Sequence, residues 1–547
     1  MNRIAPLEFF WILISGAVTG ICFWPGNYGW MFWFVFVPFF WVILKKDWQT
    51  AFCAGWLFGV TAWLSGMYWF VAPFLKFLNV NLAKALPPLL VVFAWHGLMF
   101  ALPAGALNAL SSYFSKRLGW SRGTVLLLTA APVMAATERF FPMLFPVYFA
   151  NTQYFHLPQV QILEVFGPAG LVWLTMGFNA AAYLLAKALW ARKTGRGTAG
   201  SPDLSFSLAV FGALCGLVLI NECYGELRIG QIDRTVSAEL ARGHSLNVSI
   251  IQGSVPADDA GTPAVYERLT GEALKTAAPD LVLWPESVYN RTAGYEITNG
   301  PSGKTAVFEP GFARVLKAEL PFRTALLMGT LGRTAEKPGL APSRRGGKRN
   351  IAFITGPDRE LLGLVEKRYL FPFGEYIPLG GAFPVLYRLF PYSDAVSAGG
   401  ASPPIYFGNV RAGVVICYED LYTEASRKFS EQGANVLFNI TNEARFGYHV
   451  SPEQHLAFSA LRAIENRRFF IRAVNTGISA VIDPAGRITK RMAVKERGAL
   501  NASVQLLERL TFYSEHGDFL CFFGILLIAS FALMALISPK SSDKGEF

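Results

Sequence analysis

Apolar and polar positions are unevenly distributed along this chain. Long apolar blocks fill most of residues 1–222 and return once near the C-terminus, with a more polar stretch between. A membrane-crossing helix needs about 20 largely apolar residues. Blocks of that kind lie near 7–24, 28–44, 51–72, 87–110, 124–141, 165–187, 204–222 and 518–538. The pattern predicts a multi-pass α-helical membrane domain of about eight spans. The second block is short, and the fifth carries Glu138 and Arg139 near its end, where they either pair with each other or reach the interface. Further spans follow the first block at once and no small-residue cleavage site stands out, so it reads as a span and not a leader.

Between the seventh and eighth blocks the period changes. Short apolar runs at 248–252, 281–284, 325–329, 351–355, 414–416, 436–440, 478–482 and 500–504 predict strands. Longer stretches near 263–277, 308–319, 422–432 and 452–473 predict helices, with Gly, Pro and Asn/Asp clusters between. This is an α/β domain of ordinary size. The expected division is a seven-span transmembrane domain at 1–223, a polar domain at 224–516, and an eighth helix with a short tail at 517–547.

Composition agrees with that division. The chain is 52% hydrophobic and 14% aromatic, too apolar for an ordinary soluble protein. The formal charge of +11 could suggest nucleic acid, but the basic residues cluster in short loops beside apolar blocks. With the N-terminus in the cytoplasm, one side holds Arg3, Lys45, Lys46, Lys116, Arg117, Arg122, Lys187, Arg192, Lys193, Arg196, Lys540 and Lys544. The other side holds little beyond Lys76 and Lys84. That asymmetry places the polar domain on the outer face of the membrane. Residues 142–164, rich in Phe, Tyr and Pro and free of Lys and Arg, suit an outer interface belt. There is no zinc-type Cys/His spacing and no phosphate-cradling glycine loop, so no metal, no cofactor and no nucleic-acid partner is expected. His96 and His455 read as local hydrogen bonders.

Candidate chemistry centres on Val410-Arg-Ala-Gly-Val-Val-Ile-Cys-Tyr-Glu-Asp420, a buried-strand pattern that stops at a cysteine and an acid pair. Cys22, Cys53, Cys215, Cys223 and Cys521 lie in or beside apolar blocks, which leaves Cys417 as a free thiol in the polar region. Such a residue is either a core cysteine or a displayed nucleophile. Two further stretches carry charge at comparable positions. Leu281-Val-Leu-Trp-Pro-Glu286 is a strand ending in a carboxylate, and Lys367-Arg-Tyr-Leu-Phe-Pro-Phe-Gly-Glu375 sets a lysine and a glutamate around an aromatic turn. If the strands share one sheet with their carboxyl ends together, Glu286 and Cys417 meet on one edge. A thiol needs a nearby carboxylate to take its proton, and a charged lysine with a backbone N–H can hold an oxyanion. Each residue also has an ordinary reading, as a solvated strand-end glutamate or a surface lysine.

Taken in order, Trp-Pro-Glu, Lys before Pro-Phe-Gly-Glu, and Cys-Tyr-Glu resemble the carbon–nitrogen hydrolase (nitrilase) superfamily. That resemblance implies an α-β-β-α sandwich and a Glu286-Lys367-Cys417 triad, with Glu286 as base and Lys367 on the oxyanion. Joined to the membrane part, the chain is similar to the apolipoprotein N-acyltransferase family over essentially its whole length. Further matching pieces are Ile251-Gln-Gly-Ser-Val-Pro256, Asn439-Ile-Thr-Asn442, Gln454-His455, Arg462-Ala-Ile-Glu465 and Arg472-Ala-Val-Asn-Thr-Gly-Ile478. The resemblance also implies supporting roles for Glu375, Tyr418 and Glu419. It implies transfer of an acyl chain from a membrane phospholipid, through a Cys417 thioester, to the α-amine of a lipoprotein's N-terminal diacylglyceryl-cysteine. The setting it implies is the bacterial inner membrane, with the catalytic domain on the periplasmic side. Two departures bear on the acceptor: Arg445 stands where the family usually has tryptophan, and Ala257-Asp-Asp-Ala-Gly261 occupies another usual tryptophan segment.

Between the lysine turn and the cysteine, 378–400 carries Phe383, Leu386 and Phe390 among other aromatics. It is either a loop folded on the domain's own core or a lipid-entry lid. Two other functions compete: a membrane-tethered amidase for small carbon–nitrogen substrates, and a transporter or scaffold with an inactive outer domain. Sparse intramembrane charge speaks against transport.

Overall fold

The computed structural model describes residues 4–538 apart from 79–80, 196–202, 257–258, 260, 290, 301–302, 321, 335–346, 390–395 and 447–449. Phe390 of the expected lid, Arg3, Arg196, Lys540 and Lys544 of the charge pattern, and Ala257, Asp258 and Ala260 of the departing segment lie outside the described residues. The chain divides into two compact units. One comprises Met1–Tyr68, Leu86–Ile229 and His516–Phe547, the other Trp69–Ala85 and Gly230–Glu515. The division between Ile229 and Gly230 falls within one helix, Leu204–Ala241, which continues the seventh apolar block.

In the first unit every apolar block is helical. Among the described residues, four helices are long and apolar enough to cross a membrane: Leu82–Leu118, Leu163–Thr194, Leu204–Ala241 and Phe519–Ile537. Pro6–Ile21, Trp48–Gly66 and Arg122–Phe140 are the first, third and fifth blocks. The second block breaks into a 3₁₀ turn, Gly29–Trp33, and a short helix, Phe36–Ile43. Eight residues of helix rise only about 12 Å, well short of a hydrocarbon core about 30 Å thick. The break leaves backbone groups that need partners. Asn179 supplies two, accepting from the Phe36 N–H and donating to the Phe32 carbonyl at 3.0 Å each. Asn108 donates to the Ile43 carbonyl at 2.6 Å. Glu138 and Arg139 do not pair with each other: Glu138 accepts from the Phe149 N–H at 2.6 Å, and Arg139 pairs with Asp518 at 2.5 Å. His96 bonds the Val92 carbonyl at 2.8 Å within its own helix.

The second unit is built on two sheets. The first sheet contains β1 (Ser245–Gln252), β2 (Leu281–Leu283), β3 (Ala293–Gly300), β4 (Gly303–Phe308), β5 (Ala325–Thr334), β6 (Lys348–Thr355) and β7 (Leu361–Glu366). The second contains β8 (Ile405–Phe407), β9 (Val410–Ile416), β10 (Val436–Thr441), β11 (Phe470–Val474), β12 (Ala480–Ile482) and β13 (Ile488–Arg491). A last strand, β14 (Gly498–Gln505), returns beside β1. The central strands β1, β2 and β5 are parallel, as are β9, β10 and β11. Helices Thr262–Thr276 and Pro310–Glu319 cover the first sheet, burying Tyr266, Leu269, Phe312 and Leu316 with Val282, Trp284, Leu326 and Phe353. On the second sheet, Phe429 of helix Thr423–Glu431 packs against β9 at Gly413. The result is an α-β-β-α sandwich.

Glu286 and Cys417 therefore follow strands of different sheets, not neighbours in one sheet. They converge because the inner faces pack closely. A Cβ on Gly329 of β5 would sit 2.8 Å from Ile440 Cδ1 of β10 and 3.0 Å from the Glu286 Cα. Replacing Gly329 with alanine should overpack this seam and destabilise the protein by about 1–3 kcal/mol, seen as a lower thermal unfolding midpoint together with reduced activity. An unchanged midpoint would show slack between the sheets.

Candidate active site

Each candidate side chain is presented where a strand is forced to stop. Just past β2, the Trp284 N–H makes a last ladder-like bond to the Leu327 carbonyl at 2.8 Å. Pro285 has no N–H to continue the ladder, and Ser287 turns away with φ 54°. Glu286 is thus pushed off the strand end. β9 stops more sharply: Cys417 itself has φ 56°, and a one-turn 3₁₀ helix, Cys417–Leu421, follows. Left-handed backbone at a non-glycine residue costs of order 1–3 kcal/mol and gathers at functional sites. β7 ends at Glu366, and Lys367 opens a turn in which Phe373 is also left-handed, with φ 64°. Glu375 closes that turn, its N–H on the Phe371 carbonyl at 2.9 Å.

These exits meet around one buried ammonium. Lys367 Nζ lies 3.2 Å from Glu286 Oε1, 3.0 Å from Glu375 Oε1 and 2.9 Å from Glu375 Oε2. Asn350 of β6 clamps both carboxylates, its Nδ2 donating to Glu286 Oε1 at 2.7 Å and to Glu375 Oε1 at 2.8 Å. The other Glu286 oxygen accepts from the Asn442 N–H at 3.2 Å. Burial works against the charge on Lys367, but Glu286 and Glu375 hold its pKa well above the usual lysine value. The Cys417 thiol is buried within electrostatic reach of all three groups. Desolvation and the Glu286 charge push it well above the ordinary thiol range, against Lys367 and the Thr441 hydroxyl, which favour the thiolate. A thiol raised in this way reacts as a nucleophile only once a base takes its proton.

Glu419 ties the cysteine elbow to the lysine turn. One of its oxygens accepts from the Ile416 N–H at 2.8 Å, the other from the Arg368 and Tyr369 N–H groups at 2.7 and 3.0 Å. Burial raises its pKa to about 7, opposed by those three amides. The Tyr418 hydroxyl donates to the Leu370 carbonyl at 2.5 Å, and its ring lies 5.8 Å from Lys367 Nζ. Glu286, Lys367, Glu375, Cys417, Tyr418 and Glu419 thus gather at one place. Phe383 does not join them: it is 57% exposed, and Leu386 is half-buried in the short helix Val385–Leu389. Arg445 precedes Phe446, whose ring packs on Phe371 of the lysine turn at 5.2 Å. Among the described residues no cluster of His, Cys, Asp and Glu is placed to hold a metal ion.

Sequence reasoning passed over Asn350, Thr441 and the Asn442 amide. Asn350 sits near the start of β6 with no charge or motif to mark it. Asn442 was visible as part of Asn439-Ile-Thr-Asn442, but a backbone donor leaves no signature in a sequence.

Comparison with known proteins fits this geometry. Residues 15–181 match the apolipoprotein N-acyltransferase N-terminal domain, and residues 247–509 match the carbon-nitrogen hydrolase domain. The chain belongs to the apolipoprotein N-acyltransferase family. A relative named apolipoprotein N-acyltransferase from Geobacter metallireducens is 28% identical, covering 97% of this chain and 96% of the relative. One of the same name from Chlorobaculum tepidum is 26% identical, covering 99% and 98%. Among solved structures, the nitrilase-superfamily member Nit3 of Saccharomyces cerevisiae is 17% identical, covering 55% of this chain and 97% of that one, with a TM-score of 0.36. The family's two-part make-up accounts for a catalytic α/β unit joined to apolar helices.

Glu419 gives a sharp test. All three of its partners are donors, so glutamine, though isosteric, must turn an NH₂ towards an N–H. Glu419→Gln should lose most activity and about 1–3 kcal/mol of stability, measured as turnover and thermal unfolding of the purified protein. Wild-type values for both would mean the carboxylate is not needed as a clamp.

Proposed function

We propose that this chain moves an acyl chain from a membrane phospholipid to the α-amine of a lipoprotein's N-terminal diacylglyceryl-cysteine, through a thioester on Cys417. The observation that carries this reading is the buried Lys367 ammonium fixed between Glu286 and Glu375 beside a thiol on a left-handed elbow. In the first half-reaction Glu286 takes the thiol proton as the sulfur attacks the ester carbonyl. The developing oxyanion is held by Lys367 Nζ and the Tyr418 N–H, the second amide of a short helix and without a partner further back in it. As the intermediate collapses, Glu286 returns the proton to the departing glycerol oxygen, and lysophospholipid leaves. In the second half-reaction the free amine attacks the thioester, Glu286 takes its proton, and the same two donors hold the oxyanion. Thiolate then leaves and is reprotonated, giving the amide. Glu375, with no room beside Lys367 and the Phe371 N–H to act on substrate, fixes the lysine.

Both substrates are lipids held in a bilayer, which suits a catalytic unit joined to apolar helices. We read the apolar blocks as eight crossings, the second made up by its 3₁₀ turn together with its short helix over Gly29–Ile43, and the catalytic unit as periplasmic at the inner membrane; the lysine and arginine asymmetry supports that orientation. Leu379, Phe383 and Val385 expose their apolar surfaces between the lysine turn and the cysteine strand. This exposure favours the lid over a loop buried in the domain's own core.

Purified protein mixed with phospholipid should gain the mass of one acyl chain on Cys417 and release lysophospholipid. Cys417→Ser should form no thioester and transfer no acyl chain. Release of free fatty acid without amide formation on a diacylglyceryl peptide would favour a hydrolase instead. Phe383→Ser should slow turnover on bilayer phospholipid while sparing a soluble short-chain ester; equal effects on both would remove the lid.

A further inference from the structure

Behind the elbow lies a second buried charge cluster that the mechanism above does not use. Asp420, three residues past Cys417, is fully buried. Its Oδ1 lies 2.8 Å from His455 Nε2, and its Oδ2 accepts from Ser459 Oγ at 2.5 Å and Arg472 Nη1 at 2.7 Å. The other ring nitrogen, His455 Nδ1, lies 2.6 Å from Glu443 Oε1, an oxygen that Arg472 Nη2 also contacts. Both imidazole nitrogens therefore face carboxylate oxygens. A neutral ring could donate to only one of them and would aim a lone pair at the other, so the arrangement calls for the imidazolium. The charges then balance: Asp420 and Glu443 against Arg472 and His455. Among the described charged groups nearby, Arg462 pairs with Glu465 and Glu453 with Arg491, each at 2.5 Å. Burial and Arg472 oppose the charge on His455, but the two carboxylates hold its pKa above the ordinary value.

The cluster touches both halves of the candidate active site. On one side, Arg472 Nη1 donates to Asn439 Oδ1 at 3.2 Å, and Asn439 Nδ2 donates to the Cys417 carbonyl at 2.8 Å. On the other side, Glu443 directly follows Asn442, whose N–H holds Glu286. The ring is thus a cross-link between the segment that bears the nucleophile and the segment that holds the base. We propose that His455 is a positioning residue, an imidazolium bridge from Asp420 to Glu443 that keeps the Cys417 elbow in register with Glu286. Loss of its proton leaves an uncompensated buried negative charge, which loosens the two segments. This rests on the reading of Cys417 as nucleophile and Glu286 as base.

The test uses the full-length chain with phospholipid in mixed micelles. It reads single-turnover acylation of Cys417 by mass spectrometry from about pH 6 to about pH 9. His455→Gln retains a donor only towards Asp420, and His455→Asn only towards Glu443. Each should slow acylation by about 10- to 100-fold, with the phospholipid concentration for half-maximal rate changed by less than about twofold. Glu443→Gln removes one of the carboxylates that support the imidazolium, so the alkaline fall in acylation should move to lower pH. A merely structural role would leave that limb in place. Wild-type acylation in either His455 variant, or an unmoved limb in Glu443→Gln, overturns the proposal. Should the His455 variants not yield folded protein, the Glu443→Gln shift decides it. Acyl transfer persisting in Cys417→Ala would instead overturn the underlying reading of the nucleophile.

Discussion

The catalytic unit is organised around a positive charge held almost out of water. Lys367 is 1% exposed, and an ammonium so placed is stable only while its counter-charges stay in contact. Those come from different parts of the fold. Glu286 leaves the first sheet at β2, Glu375 closes the turn after β7, and Asn350 of β6 binds both. The Lys367 backbone is pinned as well, its N–H on the Asn350 carbonyl and its carbonyl accepting from the Gly399 N–H, each at 2.8 Å. Once these groups are fixed, the second sheet must deliver Cys417 to the same spot. That requires the close seam at Gly329.

Backbone strain is concentrated at this meeting point. Ser287, Phe373 and Cys417 are all left-handed, the first two lying within two residues of Glu286 and Glu375. Such conformations persist when surrounding bonds over-determine them. Here Glu419 binds three amides across the elbow and the lysine turn, and Asn439 holds the Cys417 carbonyl. The same bonds that offset the strain aim the sulfur. A side chain aimed by its backbone loses little freedom on reaching an attacking geometry.

The helical unit solves a different problem with the same chemistry. Its broken second block exposes backbone groups that lipid cannot satisfy, and Asn179 and Asn108 take them up from neighbouring helices. Asn179 and Asn108 are buried to satisfy backbone groups. Glu138 on the Phe149 amide fits that pattern, whereas Arg139 pairs with the Asp518 side chain.

The sequence by itself determined the membrane and α/β halves, because a run of twenty apolar residues and a short β-branched run each leave a local, periodic mark. It also marked Glu286, Lys367, Glu375 and Cys417, since charge or a thiol beside a strand end is conspicuous in one dimension. The helix expected over 452–473 stops at Asn466, where Arg467 turns left-handed with φ 50°, and β11 begins at Phe470. No glycine or proline marks that stop. Strands β3, β4, β7, β8 and β13 went unread because their partners, not their own pattern, make them strands. Only the tertiary structure decided that Glu286 and Cys417 come from opposite sheets, that Asn350 joins two carboxylates, and that His455 bridges Asp420 and Glu443. These depend on contacts between segments dozens of residues apart, and no local pattern encodes such a distance.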